Sequence, residues 1–160
     1  MTITNDSLGL LTTVGELTGA QAVARGVARM FLRHDILVLP EVSLRNRRRA
    51  DLMGIDAKGQ IVIVEIKVAR SDLLGDMKWT EYLEYCDRFY WALPIGFDAS
   101  PVKGADFLPE RTGLIIADAY DAEMVRPAAT HGFRFFVGVG LLDLRQYARS
   151  PAITLCVIPR

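Results

Sequence analysis

Thiols and imidazoles are scarce in this chain of 160 residues, which has two cysteines, Cys86 and Cys156, and two histidines, His34 and His131. Neither pair has the spacing of a zinc site, and two cysteines cannot make a disulfide framework, which fits a reducing compartment. Net charge is missing as well. Lysine plus arginine equals aspartate plus glutamate at 19 each, so the overall field draws the protein toward neither nucleic acid nor membrane. Any such attraction must come from a local patch. No uncharged apolar run approaches the ~18 residues that span a bilayer, and the N-terminus lacks a basic segment followed by an apolar core and a cleavage site. The expectation is a soluble, unexported, cytoplasmic protein with no membrane partner. Internal repeats and low-complexity segments are also lacking.

What the chain does have is a hydrophobic fraction of 51% against 24% charged, enough to build one globular domain over residues 1–160. Residues 1–17 are weakly patterned, and disorder is expected up to about residue 15. Thr18 is placed to cap a helix reaching His34, with Val23, Val27, Met30, Phe31 and His34 on one face. Arg25, Arg29 and Arg33 form a stripe on another face, which is either solvated or turned toward phosphates. Strands are expected at 36–44, 49–56 and 60–69 as an antiparallel meander, followed by a helix from Ser71 or Asp72 to Asp87. A buried strand at 89–93 ended by Pro94 follows, and a strand, crossover helix and strand in that order imply a parallel pairing. Residues 94–111 read as loop with one short helical turn, and 112–118 with 123–127 as a hairpin. The terminal elements, 133–139, 141–150 and 153–158, are weakly patterned. The fold class is mixed α/β (α+β): a central mixed β-sheet flanked by helices.

The most informative stretch is 49–69. Residues 61–69 are β-branched and apolar on both faces, as a central strand should be, yet Glu65 and Lys67 interrupt one face. Charges there cost free energy unless they are paired or bound to something. The turn before them resolves the geometry. Residues 57–59 fit a three-residue hairpin loop with Gly59 at the left-handed position, so residue 56 faces 60 and Asp51 lies opposite Glu65. Glu65 and Lys67 share a face by the period of two, so two carboxylates and an ammonium converge. A slip of one residue would turn Asp51 to the other face.

Asp51 and Glu65 suit a hard cation such as Mg²⁺ or Mn²⁺, with the backbone carbonyl of Ile66 as a further ligand. A cation so held acidifies a bound water and neutralises charge developing on a phosphodiester, and Lys67 beside it is placed to orient the attacking oxygen or stabilise the transition state. The alternative is a buried ion-pair network without catalytic work. Two acids against one lysine leave an excess negative charge, which calls for a cation or for Arg49. The basic run Arg45-Asn-Arg47-Arg48-Arg49 either is a solvated loop or binds the phosphates of a polyanionic substrate.

The order Asp51, thirteen residues, then Glu65-Ile-Lys67, between a first strand and a helix, resembles the signature of the PD-(D/E)XK nuclease superfamily. A more specific pattern comprises Pro40-Glu41, Arg48-Arg49-Ala-Asp51, Val64-Glu65-Ile-Lys67, Asp72, Asp76-x-Lys78-Trp79, Tyr82, Tyr85-Cys86-Asp87 and Gly113-Leu-Ile-Ile-Ala117-Asp118. It resembles the MmcB-related family of bacterial DNA repair proteins over residues 15–130. The resemblance implies a restriction-endonuclease-like fold and a DNA repair role, either as a Mg²⁺- or Mn²⁺-dependent nuclease or as a DNA-binding accessory without turnover. It also implies DNA as partner, with a repair protein as a further candidate; a second copy of the chain is another, since two-fold pairing suits a cutter of both strands. Carried over by position, Asp51 and Glu65 match the metal ligands and Lys67 the catalytic lysine. Glu41 would be an accessory acid or an ordinary edge carboxylate. Lys78 and Tyr82, four apart on the expected helix, resemble a Gln-x-x-x-Tyr element in which lysine replaces the glutamine. Asp72 reads as a helix cap, and Trp79, Leu83 and Cys86 as core.

Overall fold

A computed structural model of the chain describes residues 19–132. The expected Thr18 cap, the N-terminal disorder and the elements proposed after residue 132 lie outside the described residues. The first element is helix α1, Gly19–Arg33, which buries Val23, Val27, Met30 and Phe31 on one stripe as the spacing requires. His34, expected on that stripe, is exposed instead, because the helix has already ended in a turn at residues 34 and 35.

Six strands follow and form one sheet in chain order: β1 (Leu37–Ser43), β2 (Arg49–Ile55), β3 (Ile61–Ile66), β4 (Arg88–Pro94), β5 (Gly113–Ala117) and β6 (Ala122–Arg126). The expected meander is present, with β1–β2 and β2–β3 antiparallel, and the implied parallel pairing is β3 with β4. A second parallel pair joins β4 to β5, and β5–β6 is the expected hairpin. The turn between β2 and β3 keeps residue 56 opposite 60: the Asp56 amide donates to the Gln60 carbonyl at 3.0 Å, and Gly59 sits at φ 81.

Alternating residues of the central strands feed two cores. On one face Val62, Val64, Tyr90, Ala92 and Ile115 pack beneath α1. On the other, Ile63, Phe89, Trp91, Leu93 and Leu114 meet Leu73, Trp79 and Phe107 from the connections that follow β3 and β4. The second core is rich in rings: Trp79 lies 5.2 Å from Trp91 and Phe89 lies 5.1 Å from Trp91, both edge to face.

The connection after β3 differs from the single long helix expected. It consists of a short helix α2, Arg70–Gly75, and a separate 3-10 segment, Trp79–Glu84. The chain leaves helical geometry at Asp76, whose φ is −82 and ψ 75, after Gly75. Side-chain partners outweigh helix propensity here, since Asp76 and Glu81 each engage a cation from the β1–β3 part of the sheet. Residues 94–111 hold two short 3-10 turns, Pro101–Lys103 and Ala105–Phe107, where one was expected.

Helix α1 is held close to the β5–β6 turn. A Cβ at Gly26 would stand 2.2 Å from the Asp118 carbonyl oxygen and 2.5 Å from that of Asp121. Backbone on both sides cannot yield as a flexible side chain would. Gly26→Ala is therefore expected to lower stability by about 2–3 kcal/mol, measured by chemical denaturation, because overpacking forces the helix off the hairpin. Arg33 pairs with Asp121 at the same junction, so at least this member of the arginine stripe is engaged with the protein itself.

Candidate functional site

The β2–β3 ladder stops at Leu52–Val64, while β2 continues along β1 as far as Arg49. The two strands fork there, and the fork is where the charges meet. The Ile66 amide, freed from the ladder, donates to Asp51 Oδ2 at 2.7 Å. In return the Asp51 amide points at Glu65 Oε1, 3.4 Å away. Each carboxylate thus addresses the other strand's backbone, which sets both on the face predicted from the turn.

Glu65 is 4% exposed and lies beside Trp91 of β4 in the parallel register. Burial, followed by the neighbouring Asp51 charge, pushes its carboxyl up to about 8. Asp51 is less enclosed, and burial again moves its carboxyl upward, opposed by the Ile66 amide and the Lys67 charge. Lys67 follows β3, its backbone amide donating to the Ala92 carbonyl at 3.0 Å. Burial works against its ammonium, but the hydrogen bond to Asp76 and the charges of Asp76, Glu65 and Asp72 outweigh this, and its pKa is raised. The ammonium lies 2.7 Å from Asp76, 3.8 Å from Glu65 and 3.9 Å from Asp72.

The other expected residues are placed differently. Glu41 has φ 54 and drops out of the ladder between the Pro40–Leu52 and Val42–Ala50 pairs. Its exposed carboxylate lies 3.6 Å from an equally exposed Arg49 rather than with Asp51. Lys78 and Tyr82 do not share a helical face, since Lys78 precedes the 3-10 segment and is exposed while Tyr82 is buried. Tyr82 does reach the fork: its hydroxyl donates to the Arg49 carbonyl at 3.0 Å. Burial first, then the Glu65 carboxylate, raises the phenol's pKa and keeps it in the donating form. Asp72 is the third residue of α2 and not its cap, which is Ala69.

Of the arginines, Arg48 is engaged by Glu81, Nε to Oε2 at 2.8 Å, a pair that ties the β1–β2 turn to the 3-10 segment. Arg47, at φ 66 in the turn, is exposed, and Arg49 is exposed at the mouth of the fork. Asp76, which the sequence offered only as part of the family-like pattern and without a role, is the partner of Lys67 in the cluster. It stands directly after a glycine able to end the helix, and that glycine was the available signal.

Among the described residues no three His, Cys, Asp or Glu side chains converge as a ready-made metal cage. Two carboxyl groups held at a splayed strand end, one of them made costly to ionise by burial so that a cation would relieve it, nonetheless suit a hard cation that completes its shell with water and phosphate oxygens. The site therefore has two carboxyl groups, an ammonium beside them, and the exposed guanidinium of Arg49 close enough to act on Asp51. Among the described residues no helix is long and apolar enough to cross a membrane.

A family model described as DNA repair protein MmcB-like matches residues 11–153. A solved structure of a protein of unknown function from Silicibacter pomeroyi is 38% identical, covers 87% of this chain and 90% of its own, and superposes with a TM-score of 0.69. No curated protein matches the chain.

Proposed function

The chain belongs to the MmcB-like family of DNA repair proteins, and on that premise we propose that it is a divalent-cation-dependent nuclease that hydrolyses DNA phosphodiester bonds. The observation that carries this is the reciprocal placement of Asp51 and Glu65 in the β2–β3 fork with the Lys67 ammonium 3.8 Å from Glu65. The antiparallel meander, short helix and parallel return strand around that fork support a restriction-endonuclease-like fold and membership of the PD-(D/E)XK superfamily.

In this reading Asp51, Glu65 and the Ile66 carbonyl hold Mg²⁺ or Mn²⁺. Lys67 brings a fixed positive charge to the scissile phosphate and stabilises the negative charge that grows on it. Tyr82 braces the strand bearing Arg49 and Asp51 through its hydrogen bond to the Arg49 carbonyl. Arg47 and Arg49 contact flanking phosphates, while Arg48, engaged by Glu81, orders the turn that presents them. Glu41 sets the direction of the Arg49 side chain, and exposed Lys78 offers a further phosphate contact.

The direct test is incubation of the purified protein with end-labelled single-stranded, duplex and branched DNA in Mg²⁺, in Mn²⁺ and in chelator. Cleavage of at least one form with metal, and none in chelator, is expected; no cleavage of any form would remove the nuclease reading. Arg47→Ala with Arg49→Ala is expected to raise KM for DNA about tenfold at moderate salt and to flatten the salt dependence of binding, with kcat little changed. A second reading is an accessory that binds DNA without turnover. The engagement of Lys67 by Asp76 at 2.7 Å favours it, and salt-sensitive DNA binding without cleavage would be its signature.

A further inference from the structure

We propose that Asp76 is a positioning residue that holds the Lys67 ammonium off Glu65 and so keeps the Asp51–Glu65 pair open to a divalent cation; this rests on reading that pair as a cation site. Lys67 Nζ donates to Asp76 Oδ2 at 2.7 Å, whereas Glu65 Oε2 at 3.8 Å and Asp72 Oδ1 at 3.9 Å lie beyond hydrogen-bond distance. The Asp72 side chain is 58% exposed, so water screens its attraction, while that of Asp76 is 14% exposed and acts at close range. A lysine side chain only 8% exposed needs a carboxylate partner, and the two well-buried candidates are Glu65 and Asp76.

Which one it takes decides what Glu65 can do. A direct charge-assisted bond to Glu65 would occupy Oε2 and cancel the charge that draws a cation. The chain provides the alternative by ending α2 at Gly75, after which Asp76 departs from helical geometry and its carboxylate meets Lys67. Had the helix continued, as its composition suggests, this contact would not have arisen in the same way. Asp76 thereby separates two groups that would otherwise neutralise each other. Lys67 remains near enough to Glu65 to act on a phosphate held at the pair.

The experiment measures Mn²⁺ binding alone, by calorimetry without DNA, on the full chain and on Asp76→Asn, Lys67→Met and the double variant, with folding followed by circular dichroism. Asp76→Asn is expected to weaken Mn²⁺ binding by about tenfold or more, in the range found for residues that orient metal ligands. In the Lys67→Met background the same substitution is expected to change binding by less than about twofold, since the competing ammonium is gone. If Asp76→Asn does not fold, Asp76→Ser carries the same expectation. Unchanged Mn²⁺ affinity in the single variant would overturn the inference. So would an equal loss with and without Lys67, which would mean that Asp76 attracts the cation through its own charge. If the unsubstituted protein binds no Mn²⁺, the cation reading itself fails and takes this inference with it.

Discussion

Glu65→Gln is expected to reduce metal-dependent DNA cleavage by about 10³-fold or more, the ~4 kcal/mol that a charge clamp on a transition state supplies. The substitution keeps the shape of the side chain and leaves an amide where a cation needs an anionic oxygen. Because Glu65 is buried beside Trp91 and its carboxyl is pushed up to about 8, a neutral amide costs the metal-free fold little. Loss of activity should therefore come without loss of structure. Lys67→Ala is expected to reduce cleavage comparably but to destabilise the protein as well, since it leaves the partly buried Asp76 carboxylate without its ammonium. Cleavage assays paired with thermal unfolding separate the two variants. Wild-type cleavage by folded Glu65→Gln would show that the chemistry, if present, lies elsewhere.

The second large effect concerns pH. A carboxyl whose folded pKa is about 8 and whose ordinary value is 4.5 holds its proton in the folded state while the unfolded chain releases it. The folded state then binds more protons across that interval, so stability falls as pH rises from about 4.5 to about 8 and levels off above. Asp51, also raised, adds to the same slope. Lys67 does not oppose it, because a raised lysine pKa contributes stability that is fully present below 10.5 and therefore constant over this window. The lowered carboxyls, Glu81, Asp98, Asp118 and Asp121, lose their contribution only as pH falls below the ordinary carboxylate range. One extra proton held by the folded state changes stability by ~1.4 kcal/mol for every step of one in pH, so the metal-free protein should lose several kcal/mol and about 10 °C of Tm between about pH 5 and pH 8. Glu65→Gln should flatten that slope, and Mg²⁺ should restore stability most at the alkaline end, where the ionised carboxylate is the form that binds it. A slope unchanged by Glu65→Gln would place the titrating group elsewhere.

These expectations depend on features of unequal legibility. Gly59 and the apolar run after it imposed the register that opposes Asp51 and Glu65, because a three-residue turn leaves few alternatives and a slip would bury the wrong face. The central position of β3 was equally readable from its unbroken apolar character. The segment after β3 was not. Residues 71–87 have the composition of one helix, yet Asp76 bonds Lys67, nine residues away, and Glu81 bonds Arg48, thirty-three residues away. Such partners cannot be inferred from periodicity. Glu41 shows the same limit, since a left-handed backbone at a non-glycine residue inside a strand has no sequence marker.

The sequence by itself determined the hairpin, the facing carboxylates and the succession of elements along the chain, since these follow from turn geometry, side-chain alternation and burial, which act over a few neighbouring residues. The pairing of β4 with β5 was left to the tertiary structure. Only the tertiary structure decided which charges are partners: Arg48 went to Glu81, and Lys67 to Asp76 in preference to Glu65. The reason is physical. Ion pairing in a partly buried site depends on ångström-scale distance and on exclusion of water, and both are set by how the α2 break packs against the sheet.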